Sequence, residues 1–450
     1  MSGIYTRLVS GLLFPLHERL KGHASVAVRK EMERTQWYSP QEMQAYQLRR
    51  LRTFLQQAGE RVPYYRDLFE QAGFSPKDMN SIDELARLPC LSKGLIRENT
   101  ERLKAEGHAP LSRFNTGGSS GEPLIFYLGK ERVSHDVAAK WRATRWWGVD
   151  IGDPEIVVWG SPIELGSQDR IRLIRDKLLR THLLPAFEMS KENLGNFVDE
   201  IRRIRPRMLF GYPSSIAMIA GHAEGSGIDM TDLGIRVAFV TSEKLYDDQR
   251  ERIERVFACP VANGYGGRDA GFIAHQCPEG GMHITAEDIV VEIVDADGSP
   301  VETGQAGEVV VTHMATSDFP FIRYRTGDVA VLDDEPCRCG RGLPLLREIQ
   351  GRTTDFIVRE DGTVMHGLAL IYVLRDLAGI DSFQIVQESV GVLRILIVRN
   401  AEFTSRTEEE IIHGMRARLG EDTEVKLEFV DRINPEGSGK YRYVKSLVSV

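Results

Sequence analysis

Cysteine is scarce in this sequence, and an excess of positive charge is missing. The 450 residues contain 5 cysteines, an odd and sparse count that argues against a disulfide scaffold and favours a reducing compartment. The formal net charge is −8, whereas a general nucleic-acid binder needs a basic surface to neutralise phosphates. We therefore expect a cytoplasmic protein without a nucleic-acid partner.

Long apolar runs are also missing, so we expect no integral membrane span. Residues 1–37 contain only a short apolar stretch, which Pro15 interrupts and charged residues follow. We interpret these residues as an amphipathic helical segment. We expect this segment to pack on the body of the protein, and peripheral contact with a membrane surface is the alternative.

The length and the order of the patterns predict an α/β fold with more than one domain. A chain of 450 residues exceeds one ordinary core. Strand-like and helix-like stretches alternate through the middle of the chain, which predicts mostly parallel sheets covered by helices. Ligands bind at the carboxyl ends of strands in such sheets, and "FGYPSS", "VTSE" and "NGYGGRD" are three of the predicted strand ends.

The pattern changes after residue 285. Residues 288–314 predict a hairpin-like strand pair around an Asp-Gly turn. The last hundred residues predict two strands, a helix and a further strand. We therefore predict a large domain over residues 1–350 and a small α+β domain over residues 351–450.

The stretch "FNTGGSSGEPLIF" at residues 114–126 is rich in Gly, Ser and Thr. Such a loop brings backbone N–H groups and hydroxyls close to an anion, because glycine has no Cβ to block the approach. The stretch is neither a Walker loop nor G-x-G-x-x-G. Its composition fits a phosphate-binding loop and a flexible surface turn about equally.

Six short motifs occur in one order along the chain. They are "TGGSSGEP" at 116–123, "TSE" at 241–243, "GYGGRDAG" at 264–271, "PFIRYRTGD" at 320–328, "GRTTD" at 351–355 and "GSGKYR" at 437–442. In this order they resemble the adenylate-forming superfamily, and within it the phenylacetate–coenzyme A ligase family. The resemblance is strongest to the branch linked with capsular polysaccharide biosynthesis. It implies the adenylate-forming enzyme fold, in which the small C-terminal domain is mobile.

The resemblance also implies roles for individual residues. The residues implied to hold the β- and γ-phosphates of ATP are Thr116, Gly117, Gly118, Ser119, Ser120 and Gly121. The residues implied to lie beside the nucleotide are Thr241, Ser242, Glu243, Gly264, Tyr265 and Gly266. Asp328 is implied to hold the ribose hydroxyls, and Arg352 the ribose or a phosphate. Asp355 is implied as the hinge, and Lys440 as the mobile catalytic lysine.

These residues suit the attack of a carboxylate on the α-phosphate of ATP, which gives an acyl-adenylate and pyrophosphate. A lysine and Mg²⁺ can stabilise the charge that develops on the α-phosphoryl oxygens. Where the family usually has a Glu for Mg²⁺, this chain has Asp269, a competent oxygen ligand. The expected second step transfers the acyl group to coenzyme A.

Two alternatives stay open. After "GRTTD" the stretch "FIVREDGTVMHGLAL" departs from the coenzyme A ligases of the family. Transfer of the acyl group to another acceptor in polysaccharide biosynthesis is therefore one alternative, and a catalytically poor nucleotide-binding relative is the other.

Single residues of the motifs also have ordinary structural explanations. Asp328 fits a turn cap, and Lys440 fits a solvated loop lysine. Glu243 fits a carboxylate at a helix N-terminus, and Tyr265 fits a core aromatic. Only the joint spacing favours the functional interpretation.

A Cys-x-Cys pair with a further Cys and a His can make a tetrahedral Zn²⁺ set, although the spacing is not that of a standard zinc finger. The proposed ligands are Cys277, His283, Cys337 and Cys339. Cys259 and His275 are the substitutes. Four protein ligands leave no open position, so we expect a structural zinc that clamps the hairpin region. Free, partly buried thiols are the alternative.

The acid substrate is expected between "FGYPSS" and the loops near three tryptophans, which are Trp146, Trp147 and Trp159. Helical spacing makes Trp146 and Trp147 mostly core residues. Either Arg142 or Arg145 could meet a substrate carboxylate, and a surface arginine is the alternative.

Overall fold

The computed structural model describes residues 3–116, 124–159, 170–186, 191–352, 356–360, 364–366, 368–375, 377–433 and 442–448. The described residues form two compact units. The larger unit contains those of 1–116, 124–326 and 330–349, and the smaller unit contains 327–329 and those from 350 onward. The domain boundary predicted between residues 350 and 351 and the predicted mobility of the C-terminal domain stay predictions.

The helices of the larger unit begin and end as follows. They are α1 (Ile4–Leu8), α2 (Phe14–Lys21), α3 (Ser25–Thr35), α4 (Pro40–Arg61), α5 (Pro63–Gln71), α6 (Lys93–Glu98), α7 (Lys130–Trp146), α8 (Arg170–Leu179), α9 (Lys191–Ile204), α10 (Pro213–Gly225) and α11 (Asp247–Phe257). A π-helical segment, Val9–Leu13, joins α1 to α2. Short 3-10 helices cover Pro76–Asp78, Ile82–Arg87 and Thr231–Leu233. No helix in the described ranges is long and apolar enough to cross a membrane.

Helix α4 shows how the sequence sets a boundary. The Ser39 side chain accepts a hydrogen bond from the Glu42 N–H, and the Glu42 carboxylate accepts one from the Ser39 N–H. This capping box satisfies two backbone donors that the first turn leaves unpaired. Pro40 follows at the first helical position, where its missing N–H costs nothing.

Within the described residues of the larger unit, two strands form a small hairpin and eleven form one large sheet. The hairpin pairs β1 (Ser112–Asn115) with β2 (Ile125–Leu128). The strands of the sheet are β3 (Glu155–Trp159), β4 (Thr181–Pro185), β5 (Met208–Gly211), β6 (Val237–Thr241), β7 (Val261–Gly267), β8 (Gly271–Gln276), β9 (Met282–Ile284), β10 (Ile289–Val294), β11 (Ala306–His313), β12 (Tyr324–Asp333) and β13 (Leu345–Arg352). Their order is β10-β11-β12-β13-β9-β8-β7-β6-β5-β3-β4.

The large sheet is mixed. Strands β4, β3, β5, β6 and β7 are parallel to one another, in the region where strands and helices alternate along the chain. The pairs β7–β8, β8–β9, β9–β13 and β10–β11 are antiparallel. Every residue of β5 and β6 is buried, as expected for strands covered on both faces. The predicted α/β fold with a smaller C-terminal domain is confirmed.

The smaller unit is an α+β arrangement. Its elements are β14 (Phe356–Val358), β15 (Val364–His366), α12 (Leu368–Arg375), β16 (Ile380–Ser389), β17 (Val392–Arg399), α13 (Ser405–Leu419), β18 (Glu424–Phe429) and β19 (Val444–Ser446). Four of the strands form a sheet in the order β18-β17-β16-β19. Helix α13 buries Ile411 and Met415, which lie four residues apart on one helical face.

A buried ion pair links α7 to the loop before β10. Arg142 is fully buried, and its Nη1 donates to Glu287 Oε1 at 2.5 Å. Thr35 Oγ1 donates to the same carboxylate oxygen at 3.0 Å. The alternative that Arg142 is a surface arginine is therefore wrong, and its contact with a substrate carboxylate stays a prediction. Arg145 pairs instead with Glu33 and Asp150.

We predict that Arg142→Ala lowers the free energy of unfolding by about 3–5 kcal/mol, because it leaves the Glu287 carboxylate buried without its partner. The control is Arg406→Ala, which breaks an exposed pair with Glu410 and costs about 1 kcal/mol or less. Denaturant unfolding measures both values. The double variant Arg142→Met/Glu287→Leu should recover part of the loss, since it removes both charges. Equal costs for the two alanine variants would contradict this account.

Candidate active site

Three of the predicted loop ends meet at one edge of the parallel strands. Thr241, the last residue of β6, lies opposite Gly264 of β7. One residue earlier in β6, Val240 lies opposite Gly211, the last residue of β5. The segments "GYPSS", "TSE" and "GYGGRD" therefore begin side by side at the carboxyl ends of neighbouring strands. A sheet edge of this kind is where open α/β sheets bind ligands.

Glycine is required at this edge because the strands approach closely. A Cβ at Gly211 would lie 2.2 Å from the Val158 carbonyl oxygen. A Cβ at Gly266 would lie 2.1 Å from the Gly271 carbonyl oxygen, and one at Gly264 would lie 2.8 Å from the Phe239 ring. Contacts this short between a Cβ and a backbone atom do not fit without moving a strand. The glycines of "GYGG" therefore have a packing reason as well as a candidate binding role.

The Glu243 carboxylate of the "TSE" turn contacts the N-terminus of helix α10. Ser242 has a φ of 71°, which is unusual for a residue with a Cβ. Glu243 Oε2 accepts a hydrogen bond from the Ser214 N–H at 3.2 Å, in the first turn of α10. A carboxylate is stabilised there by unpaired N–H groups and the helix dipole. Glu243 is thus a helix N-terminal carboxylate of α10, and it fixes the turn after β6 to the loop after β5.

Asp269 is held by two donors. Its Oδ2 accepts a hydrogen bond from Tyr324 Oη at 2.6 Å, and its Oδ1 accepts one from the Ala270 N–H at 3.1 Å. Tyr324 is fully buried, so its hydroxyl is fixed in place. Each carboxylate oxygen keeps acceptor capacity for a further ligand. Reasoning from sequence missed Tyr324, although it lies inside "RYRTGD".

Hydrogen bonds join the two residues that flank the glycine-rich stretch, Thr116 and Leu124, at the end of the β1–β2 hairpin. Thr116 N–H donates to the Leu124 carbonyl at 3.0 Å, and Thr116 Oγ1 accepts from the Leu124 N–H at 2.9 Å. Phe114 and Phe126, which pair across the strands, stack with ring centroids 6.1 Å apart. The Thr116 hydroxyl is therefore engaged by the backbone at the base of the loop.

Several predicted site residues lie outside the described residues. They are Gly117, Gly118, Ser119, Ser120, Gly121, Asp355 and Lys440. Arg352 is the last residue of β13, and its side chain is likewise outside the description. Tyr265 is half-buried against the core of the larger unit, and Asp328 is a half-buried residue of β12. The roles predicted for these residues stay predictions.

The four predicted zinc ligands lie together. One ligand atom from each of Cys277, His283, Cys337 and Cys339 lies within 4.8 Å of all the others. The Cys277 and Cys337 sulfurs are 3.6 Å apart, and Cys339 Sγ is 3.1 Å from His283 Nε2. A tetrahedral zinc with Zn–S bonds of about 2.3 Å separates its sulfurs by roughly 3.8 Å. The donor set and its spacing therefore fit Zn²⁺.

The strand pairing explains why these residues meet. Cys277 directly follows β8, and His283 lies on β9, which pairs with β13 so that His283 faces Leu345. Cys337 and Cys339 precede β13 in the turn after β12. The substitutes are elsewhere: Cys259 is buried in the core beneath α9, α10 and α11, and His275 lies between the rings of Phe239 and Phe272.

Burial shifts the pKa values of two members of this cluster. Burial, helped by the Arg341 charge, lowers the pKa of His283 to about 4, so its imidazole is neutral and able to bind a metal. Burial raises the pKa of the Cys277 thiol to about 12. Trp146 packs edge-on against His283 with ring centroids 5.6 Å apart. Of the tryptophans expected near the acid, Trp146 therefore lies at the cysteine cluster.

Trp159, by contrast, lies at the carboxyl end of β3. Its ring stacks on Tyr212 with centroids 4.4 Å apart and on Phe210 with centroids 5.9 Å apart. Tyr212 directly follows β5, so this aromatic stack borders the loop "GYPSS". The stack of Trp159 on Tyr212 and Phe210 is the aromatic group that we expect to line the pocket for the acid substrate.

Comparisons with known proteins agree with this arrangement. The AMP-binding enzyme family matches residues 179–317, and the CapK C-terminal domain matches residues 357–447. Protein CapK of Staphylococcus aureus is 26% identical over 387 residues, which cover 84% of this chain and 84% of that protein. A phenylacetate-coenzyme A ligase of Thermus thermophilus is 26% identical over 327 residues, or 71% of this chain and 72% of the ligase.

A solved structure shows the same fold. The crystal structure of 2-hydroxyisobutyryl-CoA ligase in the postadenylation state, in complex with R3-HIB-AMP, superposes with a TM-score of 0.73 at 23% identity. The match covers 91% of this chain and 90% of that one. The fold is thus that of the adenylate-forming enzymes. The comparisons therefore support the resemblance of this chain to the adenylate-forming superfamily, and within it to the phenylacetate–coenzyme A ligases and CapK.

We predict that Tyr324→Phe lowers the free energy of unfolding by about 1.5–3 kcal/mol, because a charged carboxylate loses a hydrogen bond beside a buried ring. The control Tyr5→Phe removes a hydroxyl from a partly exposed ring and should change stability by no more than about 0.5 kcal/mol. Denaturant unfolding of both variants tests this. If both substitutions lower the free energy of unfolding by the same amount, Tyr324 does not hold Asp269 in solution.

Proposed function

We propose that this protein activates a carboxylic acid with ATP, forming an acyl-adenylate and releasing pyrophosphate. The observation that carries the proposal is the register that sets Thr241 opposite Gly264 at the carboxyl edge of parallel strands. A nucleotide at this edge meets the turn "TSE" on one side and "GYGG" on the other. The structural relative captured with R3-HIB-AMP supports an acyl-adenylate as the product.

We propose the following roles for the residues of the site. The loop from Thr116 to Gly121 binds the phosphates, Asp328 binds the ribose hydroxyls, and Arg352 contacts the ribose or a phosphate. Lys440 reaches the reacting phosphate through movement of the C-terminal domain about Asp355. Its cation stabilises the negative charge that builds up on the α-phosphoryl oxygens as the carboxylate attacks.

Asp269 is the proposed ligand for Mg²⁺. The hydrogen bonds from Tyr324 and Ala270 orient its carboxylate and leave acceptor capacity on both oxygens, which fits a hard cation. When bound, Mg²⁺ neutralises phosphate charge. Tyr324 therefore acts as a positioning residue for the metal ligand.

Coenzyme A is the proposed acyl acceptor. The likeness to phenylacetate-coenzyme A ligases supports this step. The second candidate is transfer to another acceptor, such as a sugar hydroxyl or amine in polysaccharide synthesis. One observation favours it: residues 357–447 match the CapK C-terminal domain. The departure from the coenzyme A ligases that we expect after "GRTTD" points the same way.

We predict that the protein exchanges labelled pyrophosphate into ATP in the presence of an acid substrate, and that Lys440→Ala lowers this exchange by about 10²–10³-fold. The panel contains aromatic, hydroxy and fatty acids. ATP binding should stay nearly unchanged, because the lysine acts on the transition state. The matched control is Lys426→Ala, on the exposed strand β18.

Normal exchange by the Lys440→Ala variant would contradict the mechanism. ATP binding without exchange for any acid would instead favour the catalytically poor relative. Once an acid is found, the product mass with and without coenzyme A identifies the acceptor. A thioester supports coenzyme A, whereas an acyl-adenylate that persists with coenzyme A present favours the second candidate.

We further propose that the cluster of Cys277, His283, Cys337 and Cys339 holds a structural zinc. We predict about one zinc per purified chain, measured by elemental analysis. Cys337→Ser should lose most of the metal and lower the thermal midpoint, since the turn after β12 loses its tie to β8 and β9. The control Cys90→Ser changes a half-buried cysteine outside the cluster and should keep the metal. Equal zinc content in both variants would refute the site.

A further inference from the structure

Residues 4–21 form a continuous helix with one face fixed to the larger unit. Val9 and Phe14 are buried on this face, and the Phe14 ring packs edge-on against Trp141 with centroids 5.2 Å apart. Thr6 Oγ1 donates to Asp153 Oδ1 at 2.8 Å. Gly152 lies against Val9, where a Cβ would come within 2.6 Å of the valine. The helix is therefore packed on the body of the protein.

The opposite face of the same helix is apolar and exposed. It consists of the apolar stripe, which we define as Ile4, Leu8, Leu12, Leu16 and Leu20. Their exposed fractions are 89%, 47%, 58%, 53% and 80%. A strict four-residue spacing drifts around an α-helix, because 3.6 residues complete a turn. The π-helical segment Val9–Leu13 turns less per residue and offsets this drift, so the stripe stays on one side.

The exposed charges on the helix that carries the stripe are all basic. Arg7, Arg19 and Lys21 are the exposed charged residues of the helix from Ile4 to Lys21. Glu18, the acidic residue of this helix, is buried and accepts hydrogen bonds from Ser25 and His23. This helix therefore exposes leucines and basic residues, whereas the chain as a whole has a net charge of −8.

Helix α8 extends the same surface. Tyr5 Oη donates to the Leu178 carbonyl at 2.8 Å, and the Arg180 guanidinium lies over the Tyr5 ring at 5.3 Å from its centroid. The Leu178 side chain is 49% exposed, and Lys177 and Arg180 are exposed as well. The end of α8 therefore adds a leucine and two cations beside the stripe.

We propose that the apolar stripe, with the basic residues around it, docks this protein on the surface of an anionic lipid membrane. An amphipathic helix with leucines on one side and cations beside them lies in the plane of the headgroups, with its apolar face in the acyl boundary. Anionic lipid attracts each lysine or arginine near the surface. The charge pattern is complementary to such a membrane, although the chain as a whole is acidic.

A second copy of the chain fits this surface less well. Helices that pair as a coiled coil alternate spacings of three and four, whereas the stripe keeps a spacing of four. A two-fold dimer through the stripe would also bring equivalent basic residues near one another. Both features favour lipid over self-association.

The test is sedimentation of the full-length protein with vesicles. One set contains phosphatidylcholine alone, and the other contains about 30% phosphatidylglycerol. We expect the wild type to bind the anionic set and Leu12→Asp/Leu16→Asp to bind at least about tenfold more weakly. The matched control is Met218→Asp/Val390→Asp, which places two charges at exposed apolar positions elsewhere and should bind like the wild type. Far-UV circular dichroism checks that each variant folds.

A second pair of variants tests the charge. Arg19→Gln/Lys21→Gln should lower binding to anionic vesicles at least about fivefold, and the loss should shrink at high salt. The control Arg406→Gln/Lys426→Gln removes two exposed cations of the smaller unit. The proposal is overturned if the wild type does not bind anionic vesicles, or if either control loses as much as its test variant. It is also overturned if light scattering shows a dimer that Leu12→Asp/Leu16→Asp dissociates.

Discussion

The backbone at the ends of β5 and β7 leaves no space for a Cβ. At Gly211 such an atom would meet the Val158 carbonyl at 2.2 Å, and at Gly266 it would meet the Gly271 carbonyl at 2.1 Å. These contacts fix how closely the strands approach at the carboxyl edge of the parallel region. The edge then aligns the turn after β6 with the loop after β7, and Glu243 fixes that turn to α10. The proposed binding of ATP and activation of the acid depend on this alignment.

The antiparallel strands of the sheet begin next to the same edge, because β8 pairs with β7. Strand β8 pairs with β7, so that His275 lies opposite Gly264, and Cys277 follows two residues later. The cysteine cluster therefore begins directly after a strand that flanks the candidate nucleotide site. Tyr324 contributes from β12 by holding Asp269 in the loop between β7 and β8. One sheet thus connects the site, the candidate zinc cluster and the candidate Mg²⁺ ligand.

The sequence predicted those features that depend on local pattern or on motif order. The alternation of helix and strand from residue 190 to 267 predicted three of the five parallel strands, β5, β6 and β7, and the Cys and His pattern singled out four side chains that lie together. Features that depend on long-range packing were missed. The Tyr324–Asp269 bond joins residues 55 positions apart, and Arg142 finds Glu287 145 positions away. Neither partner leaves a periodic signal, because a buried polar side chain is defined only by what surrounds it.

Hydrogen exchange with and without ATP and Mg²⁺ tests the central claim most directly. If the carboxyl edge of β6 and β7 binds the nucleotide, amide exchange should slow in the segments 241–246 and 264–270, while α3 stays unchanged. The slowing should follow ATP concentration with the same saturation as ATP binding measured independently. Saturating ATP that binds while leaving exchange in both segments unaltered would contradict the account.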